Sequence, residues 1–201
     1  MKKFTTLLIF AFMLTLVSES YSQTFGIKGG LNFANMTYSG EGTSASAKSI
    51  IGIHVGPVAD IKLLENLSFN AGLIFSIKGT KTEGSSGVTS TLNYLVVPLN
   101  IAYKFPISES AKFFLQAGPY VGYALSGKAK YSDVTENVKF GEKGGMKRGD
   151  FGLGFGAGLE FGVIVASLNY ELGLSNLIDD SNYKSKNKVL QISVAYMFGK
   201  K

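Results

Sequence analysis

The sequence predicts an all-β fold, an eight-stranded antiparallel up-and-down transmembrane β-barrel. Three observations predict it. Eight segments alternate apolar residues with small or polar ones at period two, as a strand with one apolar face does. Each segment has about the 9–11 residues that a tilted bilayer crossing needs. The connections alternate strictly between long and short, which is typical of outer-membrane barrels with short periplasmic turns and long extracellular loops.

The alternation is plainest in residues 150–161, DFGLGFGAGLEF. One face carries Phe, Leu and Ala, and the other carries mostly Gly, which has no bulk to fill a soluble core. Small residues that face a narrow lumen and apolar residues that face lipid explain both faces. We expect the glycines to make room for Phe114 and Tyr120, and we expect Glu160 to pair with an inward lysine.

The other seven strands follow the same period. They are predicted at residues 24–33, 51–63, 67–77, 95–105, 113–125, 164–174 and 190–198, with short turns at 65–66, 106–111 and 162–163. Pro57, Pro98 and Pro119 each remove a ladder donor, so we expect bulges or rim positions there. Aromatic residues at strand ends predict interfacial girdles. These are Phe25, Phe33, Phe105, Phe113, Phe151, Phe161, Tyr196 and Phe198.

Residues 1–22 have the pattern of a secretory signal peptide. Lys2 and Lys3 form the basic start, an apolar run follows, and small residues at Ser20 and Ser22 predict cleavage after Ser22. Its removal takes away two lysines and one glutamate and changes the formal net charge from +6 to +5. The remaining residues 23–201 are predicted to form one barrel domain in the cell outer membrane, because no other stretch has 18 consecutive apolar residues.

The amino-acid composition limits the kinds of binding site that the chain can form. The chain has no cysteine, which excludes thiolate metal sites, and with a single histidine we expect no histidine-built metal site and no cofactor. Nucleic-acid binding is not expected either, because no basic surface is interleaved with aromatic residues. A soluble lipocalin-like barrel is the alternative fold. It would place the glycine face of residues 152–158 in water and leave the aromatic residues at strand ends without a purpose.

Several blocks resemble the PorT-like outer membrane β-barrel family, whose members are small barrels of OmpA/OmpX-like architecture. The blocks are FGIKGGLNF (25–33), NYLVVPLNIAYKF (93–105), FFLQAGPYVGY (113–123), DFGLGFGAGLEFG (150–162), LNYELGLSNL (168–177) and NKVLQISVAYMF (187–198). Most members have no assigned activity, and one branch is implicated in assembly of a protein secretion system. The resemblance therefore implies a fold and a location, and it carries over no catalytic motif. The last strand, which ends in Phe198, also resembles a signal for the barrel-assembly machinery, although the Gly199-Lys200-Lys201 tail departs from a terminal aromatic residue.

Charged and polar residues on the inner face are expected to form a network. The candidates are Lys28, His54, Asp60, Lys62, Lys78, Lys104, Glu160 and Glu171. Buried charges must pair or stay hydrated, and eight strands leave an interior just wide enough for side chains. We expect a plugged lumen, with a conducting pore or proton path as the alternative.

His54 raises the possibility of an outer-membrane lipid-modifying enzyme. A general base needs a nucleophilic serine and an orienting partner nearby. Asp60 is six residues further along the same strand, about 20 Å away when extended, and cannot orient His54. We expect a histidine in a polar network, and no enzyme.

The long connections 34–49, 79–91, 126–149 and 175–188 are predicted extracellular loops that could bind a protein partner. Residues 126–149 form a basic loop, with three acidic residues and six basic ones: Lys128, Lys130, Lys139, Lys143, Lys147 and Arg148. Basic residues at this surface would neutralise lipopolysaccharide phosphates. The tripeptide Arg148-Gly149-Asp150 matches an integrin-binding motif, but three residues recur by chance.

Three functions stay open. The first is a structural or interaction barrel that contacts lipids, lipopolysaccharide or a partner through its loops. The second is an accessory of secretion or transport across the outer membrane. The third, a lipid-modifying enzyme, is the least favoured.

Overall fold

The computed structural model describes residues 23–198 except 41–42, 83–86, 132–133, 142–144 and 180–182. The predicted signal peptide, its cleavage site and the tail 199–201 lie outside the described residues. The described chain forms a single antiparallel sheet of eleven strands. They are β1 Gln23–Gly40, β2 Thr43–Ser46, β3 Ile50–Leu64, β4 Leu67–Gly72, β5 Ile74–Lys81, β6 Val88–Pro106, β7 Ala111–Tyr131, β8 Val134–Asn137, β9 Gly149–Phe161, β10 Ile164–Gly173 and β11 Tyr183–Phe198.

The sheet closes on itself as a barrel. β1 pairs with β3 on one side and with β11 on the other, so the first and last strands are neighbours. β4 and β5 act as one barrel strand, because Val58 opposite Gly72 and Val55 opposite Phe75 belong to one continuous register. β2 and β8 lie outside the ring and pair with β1 and β7. The predicted eight-stranded antiparallel barrel is confirmed.

The predicted third strand, 67–77, is interrupted at Leu73, opposite Pro57. The Leu73 N–H donates to the Pro57 carbonyl at 3.0 Å, but Pro57 has no N–H to donate in return. The expectation that Pro57 marks a bulge or the rim was therefore wrong. It lies inside the barrel wall, where the ladder has a gap.

The other two prolines also lie within the wall. Pro98 of β6 is opposite Tyr120 of β7, and pairing of these strands resumes only at Ile101 opposite Ala117, so the gap includes Pro119. The register shifts of the sheet fall elsewhere, between 62 and 64 in β3 and between 93 and 94 in β6. A proline thus removes a ladder bond here without adding the extra residue that makes a bulge.

All four predicted long loops are partly strands. β1 continues to Gly40, β5 to Lys81 and β7 to Tyr131, while β6 already begins at Val88 and β11 at Tyr183. The apolar alternation stops near Phe33 and before Leu190, which is why the sequence predicted the strands to end there. Backbone pairing needs no apolar face, so the barrel extends beyond its apolar belt with polar side chains on its outer surface.

The outer surface carries the apolar face of every barrel strand. Phe25, Phe151, Phe161, Tyr196 and Phe198 are exposed, as expected of girdle residues, whereas Phe33 and Phe113 are half-buried. At the end with the short turns, the Tyr103 and Phe105 rings are in tilted contact with centroids 4.8 Å apart, and the Tyr196 and Phe198 rings meet edge to face at 5.4 Å. No helix in the described part of the chain is long and apolar enough to cross a membrane.

The glycines of β9 make room for aromatic rings, as the sequence predicted. A Cβ at Gly152 would lie 2.8 Å from the Tyr120 ring, and one at Gly158 would lie 2.5 Å from the Phe114 ring. The strands also approach closely, because the same Gly152 Cβ would come within 2.1 Å of the Leu172 carbonyl oxygen. Glycine on this face therefore lets β9 pack against β10 and still leaves space for two rings in the lumen.

Candidate functional site

The lumen is the candidate functional site, because the buried polar and charged side chains converge there. Its upper part, toward the long connections, is filled by a tightly packed cluster. The buried members are Met36, Ile74, Leu92, Tyr94, Val96, Tyr120, Ala124 and Leu177. Lys78, Asp150 and Glu171 lie beside this cluster and are almost completely buried. Side chains therefore close this part of the barrel.

The upper ion cluster is centred on Lys78 of β5. Its Nζ lies 2.7 Å from Glu171 Oε2 and 3.5 Å from Asp150 Oδ2, and 4.7 Å from the centre of the Tyr120 ring. Asn187 Nδ2 donates to Asp150 Oδ2 at 2.9 Å, and the Tyr120 hydroxyl donates to the same carboxylate at 3.3 Å. The buried lysine is thus held by two carboxylates that have further donors of their own, which a stable buried ion pair requires.

The lower ion cluster is centred on Lys104 of β6. Its Nζ pairs with Asp60 of β3 and lies 2.7 Å from Glu160 Oε1 of β9. The predicted pairing of Glu160 with an inward lysine is therefore confirmed. Each cluster has one lysine and two carboxylates, so each has a formal charge of −1. Lys62, which was predicted to join this network, is exposed at the short-turn end and belongs to neither cluster.

His54 of β3 is buried and hydrogen-bonded through both ring nitrogens. Nδ1 lies 2.8 Å from Asn32 Oδ1, and Nε2 lies 2.9 Å from Ser193 Oγ. Asn32 is oriented by its Nδ2 group, which donates to Ser76 Oγ and to the Ile77 carbonyl, both at 2.9 Å. Because the Asn32 oxygen can only accept, Nδ1 carries the proton and Nε2 accepts from the Ser193 hydroxyl.

This Ser193–His54–Asn32 arrangement has the connectivity of a nucleophile, a base and an orienting group. Sequence reasoning missed it, because Asn32 and Ser193 are far apart in the chain and meet only through the β1–β11 pairing. All three side chains are buried, with exposed fractions of 2% or less. The arrangement joins β11 to β3 across β1, and Ser193 lines neither of the two cavities in the lumen. Its position is that of a structural crosslink.

Two cavities remain below the upper cluster, with volumes of about 70 and 30 Å³. Lys28 lines both, and it has no ion pair within the described residues. A chain of amides crosses the lumen between them. Asn70 Nδ2 donates to Gln116 Oε1 at 3.2 Å, and Gln116 Nε2 donates to Asn169 Oδ1 at 2.6 Å. These volumes suit a few waters, and no larger ligand.

The basic loop divides into two groups. Lys128 and Lys130 lie on β7 with exposed side chains, and Lys143 is outside the described residues. Lys147 pairs with Asp179 at 3.3 Å. Arg148 packs over the Phe140 ring at 4.6 Å and donates to the Ala124 carbonyl at 2.8 Å. Lys147 and Arg148 thus stabilise the loop itself. Lys139 is exposed and also interacts within the structure.

Comparisons with known proteins agree with this architecture. Residues 21–179 match the model of the outer membrane protein beta-barrel domain family, and no curated protein matches the chain. OprG from Pseudomonas aeruginosa is 13% identical with a TM-score of 0.50, over 89% of this chain and 97% of OprG. Two further solved structures have lower TM-scores. Neisserial surface protein A is 14% identical (TM-score 0.46; 90% of this chain, 100% of that chain), and Ail of Yersinia pestis, in complex with the heparin analogue sucrose octasulfate, is 19% identical (0.43; 88% and 99%).

At such identities a likeness concerns the fold alone, and OprG supports an outer-membrane barrel. The family model spans most of the chain. The closed sheet, the apolar outer surface and the filled lumen are features expected of a small outer-membrane barrel. The chain belongs to the outer membrane protein beta-barrel domain family and is a protein of the outer membrane.

Proposed function

We propose that the protein is a non-conducting structural barrel that presents an interaction surface outside the cell. The upper ion cluster carries this proposal. Lys78, Tyr94 and Tyr120 are buried to 1% exposure or less and lie together across the extracellular half of the lumen. An ion would have to break this packing to pass, and the cavities below it are too small to form a channel.

The interaction surface is the part of the barrel beyond the apolar belt. β2 pairs with the end of β1 and β8 with the end of β7, and there β7 and β8 expose polar and charged side chains. Lys128 and Lys130 are exposed there, which supports contact with an anionic protein partner. The resemblance of the strands to PorT-like barrels supports membership of the PorT-like family. A secretion accessory would use this same surface.

The protein is not an enzyme in this proposal. The Ser193–His54–Asn32 arrangement is the one group with catalytic connectivity among the polar networks described above, and it is sealed inside the lumen. A hydrolase needs donors aimed at a developing oxyanion and a path for its substrate. Ser193 faces β3 and lines neither of the two cavities described above, of which His54 lines only the smaller, about 30 Å³ in volume, so neither cavity gives a substrate a path to the serine.

Planar-bilayer recording tests the proposal. The mature protein, refolded in detergent and checked by heat-modifiable gel migration, should give no stable single-channel steps. Insertion is verified on the same preparation by protease protection in vesicles. Reproducible steps from folded, inserted protein would overturn the plugged lumen. Deletion of the gene followed by lipid A analysis and by a profile of secreted proteins separates the enzyme and secretion alternatives, since each alters one of the two profiles.

A further inference from the structure

Three lysines form a row on the outer surface of β11. Lys184, Lys186 and Lys188 alternate with Ser185 and Asn187, whose side chains are buried in the lumen. The lysines therefore all point away from the barrel. Lys184 is exposed, and Lys186 and Lys188 are half-buried. In sequence they lie in what was predicted to be the polar loop 175–188, so the row becomes visible only once β11 is known to begin at Tyr183.

Among the described residues, the outward side chains of β1 beside the row are polar and uncharged, and on β10 the apolar Leu172 lies opposite Lys188. On β1, Ser39 lies opposite Lys184, Thr37 opposite Lys186, and Asn35 opposite Lys188. None of the three lysines has an ion pair or a side-chain hydrogen bond within the described part of the chain. Lys147, by contrast, is neutralised by Asp179. The row is thus a cluster of three positive charges whose described cross-strand neighbours are uncharged.

The depth of the row is fixed by the next residue of β11. Leu190 is the first apolar residue on the outer surface, and it is flanked by Phe33 of β1 and by Tyr170 of β10. Aromatic residues flank the apolar band of a transmembrane barrel at its interfaces. The lysines begin directly above this boundary and extend about 14 Å along the strand. They therefore stand at the headgroup level of the outer leaflet.

We propose that Lys184, Lys186 and Lys188 form a binding site for the phosphate groups of an outer-leaflet glycolipid. Phosphates packed at this level repel one another and need cationic partners, which the row supplies from the protein. A row along a tilted strand can meet phosphates at more than one depth. The site lies outside the barrel and does not depend on whether the lumen conducts.

Lys128 and Lys130 of β7 provide a matched comparison. They also alternate along a strand and are exposed, but β8 pairs with β7 there, with Asn137 opposite Lys128 and Thr135 opposite Lys130. Glu136 of β8 lies opposite the buried Ala129 and is therefore on the other face of this strand pair. The pair differs from the row in having two charges and an additional strand beside it. We expect it to contribute little to glycolipid binding.

The test measures lipid binding by native mass spectrometry and by thermal unfolding in phosphatidylcholine nanodiscs. The probes are bis-phosphorylated lipid A and the same lipid A with its phosphates removed. The proteins are the wild type, the triple variant Lys184→Gln/Lys186→Gln/Lys188→Gln, and the control Lys128→Gln/Lys130→Gln. Heat-modifiable gel migration verifies folding of each, and every side chain changed is on the outer surface.

Wild type and control should bind phosphorylated lipid A with similar affinity. The triple variant should bind it on the order of a hundredfold more weakly, because each lysine contributes about fivefold to the affinity. Dephosphorylated lipid A should not distinguish the three proteins, and added salt should weaken only the phosphate-dependent part. Equal binding by wild type and triple variant would overturn the site. So would a loss in the control as large as in the triple variant, or a preference that survives removal of the phosphates.

Discussion

Lys78 Nζ lies 2.7 Å from Glu171 Oε2 in the centre of the lumen, with the lysine side chain fully buried. The two residues belong to β5 and β10, which are not neighbours in the sheet. Their pairing therefore spans the lumen and braces opposite parts of the wall. The same lysine also meets Asp150 of β9 at 3.5 Å. One cation thus connects three barrel strands.

The variant Lys78→Met should destabilise the barrel by about 3–5 kcal/mol, because it leaves two buried carboxylates without their cation. Urea unfolding in lipid vesicles, followed by gel migration, measures the change. Lys62→Met removes an exposed lysine at the periplasmic end and should have almost no effect. The combined variant Lys78→Met/Glu171→Gln should recover part of the loss. A single variant as stable as wild type would contradict the bracing role.

The variant Gly158→Ala should lower the yield and stability of folded protein, by about 1–3 kcal/mol. The new Cβ would meet the Phe114 ring at 2.5 Å and the Ala166 carbonyl at 2.5 Å. Gly149→Ala is the matched control, because nothing lies within 4 Å of a Cβ there. The measurement is the folded fraction after refolding into detergent. If both variants refold equally well, the glycine face has no role in packing.

The variant Ser193→Ala tests the crosslink through His54. It removes one hydrogen bond and should cost about 1–3 kcal/mol of stability, since His54 Nε2 is left buried without a donor. The lipid composition of cells that carry the variant should match wild type. A serine-directed fluorophosphonate should not label the wild-type protein. Labelling that disappears in Ser193→Ala would instead show a reactive nucleophile.

The proline-containing part of the wall should exchange its amide hydrogens faster than the rest. The ladder between β6 and β7 is interrupted from Leu99 to Asn100 and from Gly118 to Pro119, whereas β9 and β10 pair without a gap. Hydrogen–deuterium exchange in detergent or nanodiscs should show lower protection for 97–100 and 117–120 than for 154–157. Equal protection at both places would mean that the prolines do not weaken the wall.

The architecture could be predicted because lipid imposes a repeating pattern. Every second residue of a barrel strand must be apolar, so the sequence defines which residues face outward and inward across all eight barrel strands. The same alternation identified Phe114, Tyr120 and Glu160 as lumen residues. Above the apolar belt the outer surface faces water, the pattern ends, and strand ends such as Gly40 and Tyr183 could not be located.

The pairing partners could not be predicted, because they depend on register between strands. Asp150 shares the inward phase of Gly152 and Gly154, which was a usable signal, but it was weighed only as part of the tripeptide Arg148-Gly149-Asp150, which was discounted. Only the fold shows that it faces Lys78, 72 positions earlier in the chain. Asn32 and Ser193 were missed for the same reason, since the relation of β1 to β11 is fixed only when the barrel closes.

The junction of β1 with β11 has a consequence for biogenesis. Its ladder runs from Phe25 opposite Phe198 to Gly40 opposite Tyr183, and it joins the two ends of the chain. Until the final strand arrives, one edge of β1 has no partner within the ring, and Ser193 cannot reach His54. The pairing of β1 with β11 joins residues that are far apart in the sequence, so this step of folding has a very high contact order. The barrel cannot close before it. A chain truncated before residue 183 would keep the sequence of β1 to β10 but lack β11. The edges of β1 and β10 would then be unpaired, and unpaired strand edges promote aggregation.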